Sequence, residues 1–130
     1  MTNDEYVCYW VETAEEDYAS VERLFAAGEY VWALFVGHLV IEKFLKACCA
    51  RSLGQGVPRI HDLLRLADRA GLAVEPKRRR WLDRLTTLQT RIRYPDMRHD
   101  VYRIATKEFA ERYLVGVREL RQWLLEVVSK

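Results

Sequence analysis

Residues Arg91 to Arg103 pack four arginines, one histidine, two tyrosines and two aspartates into thirteen positions. Among them only Ile92, Met97 and Val101 are clearly apolar. Cleavage of a phosphodiester without a metal needs a group that moves protons near neutral pH, a task suited to histidine. It also needs fixed positive charge for the crowded phosphoryl transition state, which arginine supplies. Arg93 and His99 are the candidate working pair, with Tyr94 and Asp96 placed to orient them. Arg91, Arg98 and Arg103 are candidates to hold a phosphate backbone. The plainer reading of the same residues is a surface loop whose arginines pair with Asp96, Asp100 and the acidic first helix.

A second basic cluster is Lys77-Arg78-Arg79-Arg80. It sits at a predicted helix N-terminus, where positive charge works against the helix dipole, so an anionic partner such as RNA is one reading and a solvated face another. Charge along the chain is uneven. Residues 1–58 carry 4 basic and 9 acidic side chains, whereas residues 59–130 carry 17 basic and 10 acidic. The acidic outer face of the first helix therefore complements the cationic second half, and this is a physical reason to expect self-association.

The elements that must position these residues are helices. Thr2-x-x-Glu5 has the form of a capping box, and Val7, Trp10, Val11, Ala14, Tyr18, Val21, Leu24 and Phe25 follow at helical spacing as far as Gly28. A second helix, from about Tyr30 to Leu53, is apolar nearly all round as far as Ile41, which marks it as central. A short helix is expected from about His61 to Ala70, closed by Gly71. Pro76 opens a fourth, with Trp81, Leu82, Leu85 and Leu88 inward, and Tyr94-Pro95 should break it. After a connector, Thr106 caps the last helix. No alternating strand pattern appears. The expected fold is all-α, an antiparallel up-and-down bundle of four to five helices forming one domain over residues 1–130.

At 130 residues, half of them hydrophobic and 31% charged, the chain suits one globular domain and not a disordered or collagen-like one. Cys8, Cys48 and Cys49 form neither a disulfide framework nor a zinc site, and read as buried free thiols in a reducing compartment. Met1 leads directly into polar residues and the longest apolar stretch is too short for a bilayer, so the expectation is a cytoplasmic protein with no membrane partner. His38 reads as a satisfied core histidine, and His61 with Asp62 as a capping pair. No metal or cofactor is called for.

Several segments together resemble the HEPN family of small helical, nucleotide- and RNA-associated proteins. They are Ala14-Glu15-Glu16-Asp17-Tyr18-Ala19, Gly28-Glu29-Tyr30, Glu42-Lys43-Phe44-Leu45-Lys46-Ala47, His61-Asp62-Leu63 and Arg93-Tyr94-Pro95-Asp96, in that order over about 100 residues. The resemblance implies a helical bundle that dimerises. Arg93 and His99, with five residues between them, match the R-x(4–6)-H motif of the family's ribonuclease branch, in which the motifs of two partners meet across the interface. It further implies attack of a ribose 2′-hydroxyl on the adjacent phosphodiester, leaving a cyclic phosphate, and a toxin role beside a minimal nucleotidyltransferase antitoxin. Tyr102 is then the candidate tyrosine for modification, and Glu42 a supporting residue. The alternative is a non-catalytic subunit that presents a nucleotide or substrate to the nucleotidyltransferase. A purely structural helical module is a third.

Overall fold

The computed structural model describes all of residues 1–130. Six helices follow in order: α1 (Asn3–Ala26), α2 (Tyr30–Leu53), α3 (Leu63–Arg69), α4 (Pro76–Arg93), α5 (Pro95–Ile104) and α6 (Lys107–Val128). The four long ones make the bundle, and the short α3 and α5 attach to α4.

Local chemistry sets most boundaries. The Thr2 hydroxyl accepts from the Glu5 amide while Glu5 Oε1 accepts from the Thr2 amide, both at 3.1 Å, completing the capping box. Asp62 caps α3 and Thr106 caps α6 by the first of these bonds alone, accepting from the Arg65 and Phe109 amides. The α1–α2 turn passes through Gly28 at φ 78, a left-handed conformation that glycine adopts without steric cost.

Helix α2 is buried on almost every side and packs against α1, α3, α4 and α6. Its residues Ile41, Phe44 and Leu45 form the middle of the main core, with Val7, Ala14 and Val21 of α1 and Leu114, Leu120 and Leu124 of α6. A smaller apolar cluster gathers Val31, Leu34, Leu88, Ile92, Val101 and Ala110. It fastens the joint between α4 and α5 to the start of α2. Gly116 permits another close approach, because the Trp81 ring lies where a β-carbon would stand, 2.8 Å from Trp81 Cε3.

Three expectations need correction. Residues 95–104 are a helix, not a connector. Tyr94 alone is extended (φ -91, ψ 123), and Pro95, which has no amide hydrogen to satisfy, takes the first position of α5. Cys8 is exposed on α1, while Cys48 and Cys49 are buried as expected. The acidic face of α1 meets its complement within the same chain. Glu15 accepts from Arg121 at 2.9 and 3.0 Å, and Glu22 accepts from Arg118 at 3.2 Å. That charge match therefore no longer argues for a second subunit.

No helix is long and apolar enough to cross a membrane.

Candidate functional site at the α4–α5 elbow

Arg93 is the last residue of α4, and His99 lies on the second helical turn after the break. The elbow between them is held by Arg98. Its Nε donates to the Ile92 carbonyl at 2.6 Å and its Nη2 to the Arg93 carbonyl at 3.2 Å, satisfying two carbonyls that the end of α4 leaves open. The same guanidinium lies 5.2 Å from the centre of the Trp32 ring, a cation–π contact that ties the elbow to α2. Arg98, expected to hold a phosphate backbone, is thus engaged by the protein itself.

Arg93 is exposed and has no carboxylate partner. A guanidinium left unpaired beside a polar hollow is free to take an anion. His99 is exposed as well, and the Arg103 Nη2 donates to its Nε2 at 3.2 Å. An acceptor role for Nε2 leaves the neutral ring carrying its proton on Nδ1. On a helix, Val101 points to the core while His99 and Arg103, one turn apart, share the opposite face. Asp96 and Asp100 are exposed on the same helix. The same segment leaves Tyr94 (53% exposed), Met97 (40%), Tyr102 (52%) and Ile104 (42%) in solvent, half of the large apolar side chains the protein exposes.

Beside the elbow lies a hollow of ≈ 270 Å³ between α4 and the start of α3. It is lined by Arg93 and Tyr94 at the elbow, His61 and Asp62 before α3, and Thr86, Gln89 and Thr90 of α4. Behind His61 stands Glu42, only 5% exposed in the middle of α2. Glu42 Oε1 takes the His61 Nδ1 at 3.0 Å and Oε2 takes Lys46 Nζ at 3.1 Å. His38, one turn earlier, places Nδ1 3.7 Å from Glu42 Oε1 and donates Nε2–H to the His61 carbonyl at 3.0 Å. Burial pulls the His38 pKa down from 6.5 to about 4, overriding the nearby Glu42 carboxylate, and the charge of Arg93 adds to the depression. Thus the supporting residue Glu42 does not touch Arg93. It reaches the hollow through His61.

The remaining candidates lie elsewhere. Arg91 lines a separate hollow with Ile104 and Phe109. The run Lys77–Arg80 sits at the far end of α4, roughly 20–24 Å from Arg93 at 1.5 Å per residue. Within it Arg78 reaches Glu75 and covers the Trp123 ring, Arg79 pairs with Asp68 at 3.3 Å, and Lys77 and Arg80 make no ion pair. No group of three histidine, cysteine or acidic side chains is arranged to hold a metal ion.

Two residues of the hollow escaped the sequence reading. Asp62 caps α3 as expected, but its neighbour His61 turns to Glu42, a partner 19 residues away that no local pattern reveals. Gln89 carried a signal: it is a polar residue beside Leu88 and one turn after Leu85, on the inward side of α4.

The family model for the HEPN domain matches residues 7–128, nearly the whole chain. No curated protein and no solved structure matches it.

Proposed function

We propose, from the premise that this chain belongs to the HEPN family, that it is a metal-independent endoribonuclease of toxin type. In this reading it works as a homodimer and is held silent by a minimal nucleotidyltransferase encoded with it. HEPN domains commonly dimerise, and the apolar residues Tyr94, Met97, Tyr102 and Ile104 around the elbow are the kind a second copy would cover. The observation that carries the reading is the elbow itself. It presents an unpaired arginine and an exposed histidine on adjacent helices, in a segment that leaves four large apolar side chains in solvent.

The chemistry follows from those groups. A ribose 2′-hydroxyl gives its proton to Nε2 of a His99 imidazole, the ring nitrogen that holds the lone pair, once Arg103 leaves that nitrogen for the phosphate, and its oxygen bonds to phosphorus. The 5′-oxygen leaves with the electron pair of the broken P–O bond and takes a proton from a second imidazolium, leaving a 2′,3′-cyclic phosphate. A dimer supplies both imidazoles. Arg93 neutralises the charge that grows on the non-bridging oxygens. Asp96 and Tyr94 lie between the pair in sequence, Arg103 holds the His99 ring in the free protein and turns to the phosphate when the strand binds, and Arg91, Lys77 and Arg80 extend the cationic surface for the strand. Tyr102 is the exposed tyrosine nearest to His99 in sequence, and so the candidate for silencing by nucleotidyl transfer.

Purified protein should cleave RNA in the presence of a chelator, and His99→Ala should abolish cleavage without altering the helical circular dichroism. Cleavage that survives His99→Ala would reject the assignment. The second reading is a nucleotide-binding subunit without turnover, favoured by the fact that Arg93 opens onto the His61–Gln89 hollow. It requires a nucleotide-dependent rise in melting temperature with no RNA cleavage.

A further inference from the structure

His61 belongs to no helix, yet two residues of the central helix hold it. His38 donates to its carbonyl at 3.0 Å, and Glu42 Oε1 accepts from its ring Nδ1 at 3.0 Å. The neighbouring Asp62 is the residue that caps α3, so the His61 ring is not needed to start that helix. The tether is costly for the core. Glu42 and Lys46 are both buried, and buried ions often repay less than hydrocarbon of similar size. The His61 ring itself is half exposed. A carboxylate only accepts, so Nδ1 carries a hydrogen and the lone pair of the neutral ring lies on Nε2, which no protein group bonds. A buried carboxylate that fixes the tautomer of an accessible imidazole is the arrangement found behind proton-moving histidines.

The hollow that His61 lines is lined also by Arg93, whose guanidinium has no carboxylate partner. Besides burial and Glu42, the charges of His61 and Arg93 both act on the enclosed His38 ring, so both stand within electrostatic reach of one point in α2. Cleavage of a phosphodiester needs one imidazole to take a proton and another to give one. A charged ring at His99 meets Arg103, whereas a charged ring at His61 meets Glu42. We infer that His61 is a catalytic residue, the imidazolium that protonates the departing 5′-oxygen. Its Nε2–H passes the proton to that oxygen as the P–O bond breaks, Nδ1–H stays on Glu42, and the neutral ring left behind is reprotonated from water. His99 of either copy is then the base that takes the 2′-hydroxyl proton, and Arg93 holds the phosphate. The inference rests on the ribonuclease reading and adds to it a residue outside the Arg93–His99 motif.

The test uses one RNA strand that wild type cleaves in chelator, synthesised with oxygen and again with sulfur as the 5′-bridging atom of the cleaved linkage. A thiolate leaves without a proton, so the sulfur strand has no need of the acid. His61→Asn removes Nε2 but keeps a side-chain donor for the buried Glu42, and so preserves the fold where His61→Ala would strand the carboxylate. His61→Asn should cleave the oxygen strand about 10²–10⁴-fold more slowly than wild type, and the sulfur strand within about fivefold of it. His99→Ala lacks the base and should fail on both strands. Equal slowing of both strands by His61→Asn, the mark of a merely structural residue, overturns the inference. Undiminished cleavage of the oxygen strand by the same variant does so too, and either result leaves the ribonuclease reading standing. If wild type cleaves no RNA, that reading falls and the inference falls with it.

Discussion

Acid should unfold this protein earlier than its carboxylates alone require, and His38 is the reason. The ring is fully buried, its Nε2–H is spent on the His61 carbonyl, and its Nδ1 has no hydrogen-bond partner. In the unfolded chain the imidazole takes a proton below about pH 6.5, whereas in the folded chain burial holds the pKa at about 4. Between those values the unfolded state binds more protons, so stability is whole above pH 6.5 and is lost as pH falls towards 4. At 1.36 kcal/mol per pH unit, the gap from 6.5 to about 4 is worth about 3 kcal/mol, most of which should be gone by pH 4.5. The comparison is His38→Gln, whose amide still donates to the His61 carbonyl but does not titrate. Urea unfolding of both proteins from pH 8 to 4.5, followed by circular dichroism and tryptophan fluorescence, cancels the carboxylates they share. The wild-type curve should fall away from the variant curve below pH 6.5. Parallel curves would refute the reasoning, for they would mean that Nδ1 accepts a proton and pairs with Glu42 at no cost.

Other substitutions probe the elbow and the core. Arg98→Ala removes two bonds to the last carbonyls of α4 and the Trp32 contact, and should cost about 1–3 kcal/mol in urea unfolding. Arg98→Lys should recover little of this, since an ammonium cannot span both carbonyls and lie flat on the ring. Gly116→Ala forces a methyl to within 2.8 Å of Trp81 and should destabilise by about 1–3 kcal/mol, with a shift in tryptophan emission reporting the displaced ring. Burial pushes the Cys48 thiol up to about 12 and raises that of Cys49, whereas Cys8 is exposed, so a thiol reagent at pH 8 should label one cysteine in the native protein and three in urea.

The parts of this fold that were legible in the sequence are those governed by neighbours along the chain. Thr2 with Glu5, Gly28, Gly71, Pro76 and Thr106 each act over four residues or fewer, and each marks a helix end where expected. Helix α5 escaped because Val101 is its one buried residue, which leaves no apolar stripe to detect. The break at Tyr94-Pro95 was correctly placed, yet the same proline that stops α4 begins α5. The pairing of Glu15 with Arg121, across 106 residues, was equally hidden, since charge counts reveal a surplus and not its partner. At the site, residue type pointed to Arg93 and His99. That Arg93 faces His61 and Gln89, and that Glu42 stands behind His61, depends on how α2, α3 and α4 come together.

Placing His38, Glu42 and Lys46 inside the central helix couples durability to chemistry. A helix this deeply enclosed would be more robust if all three were aliphatic, because buried ions and their partners often repay less than well-packed hydrocarbon. Laboratory selection for heat resistance alone should therefore drift towards leucine and methionine at these positions, and the drift would disconnect His61 from its carboxylate and alter the hollow next to Arg93. A thermostable descendant could keep the bundle intact and lose the bond between His61 and Glu42. Anyone stabilising this protein for study should hold those three residues fixed and look for gains on the solvent-facing turns of α1 and α6.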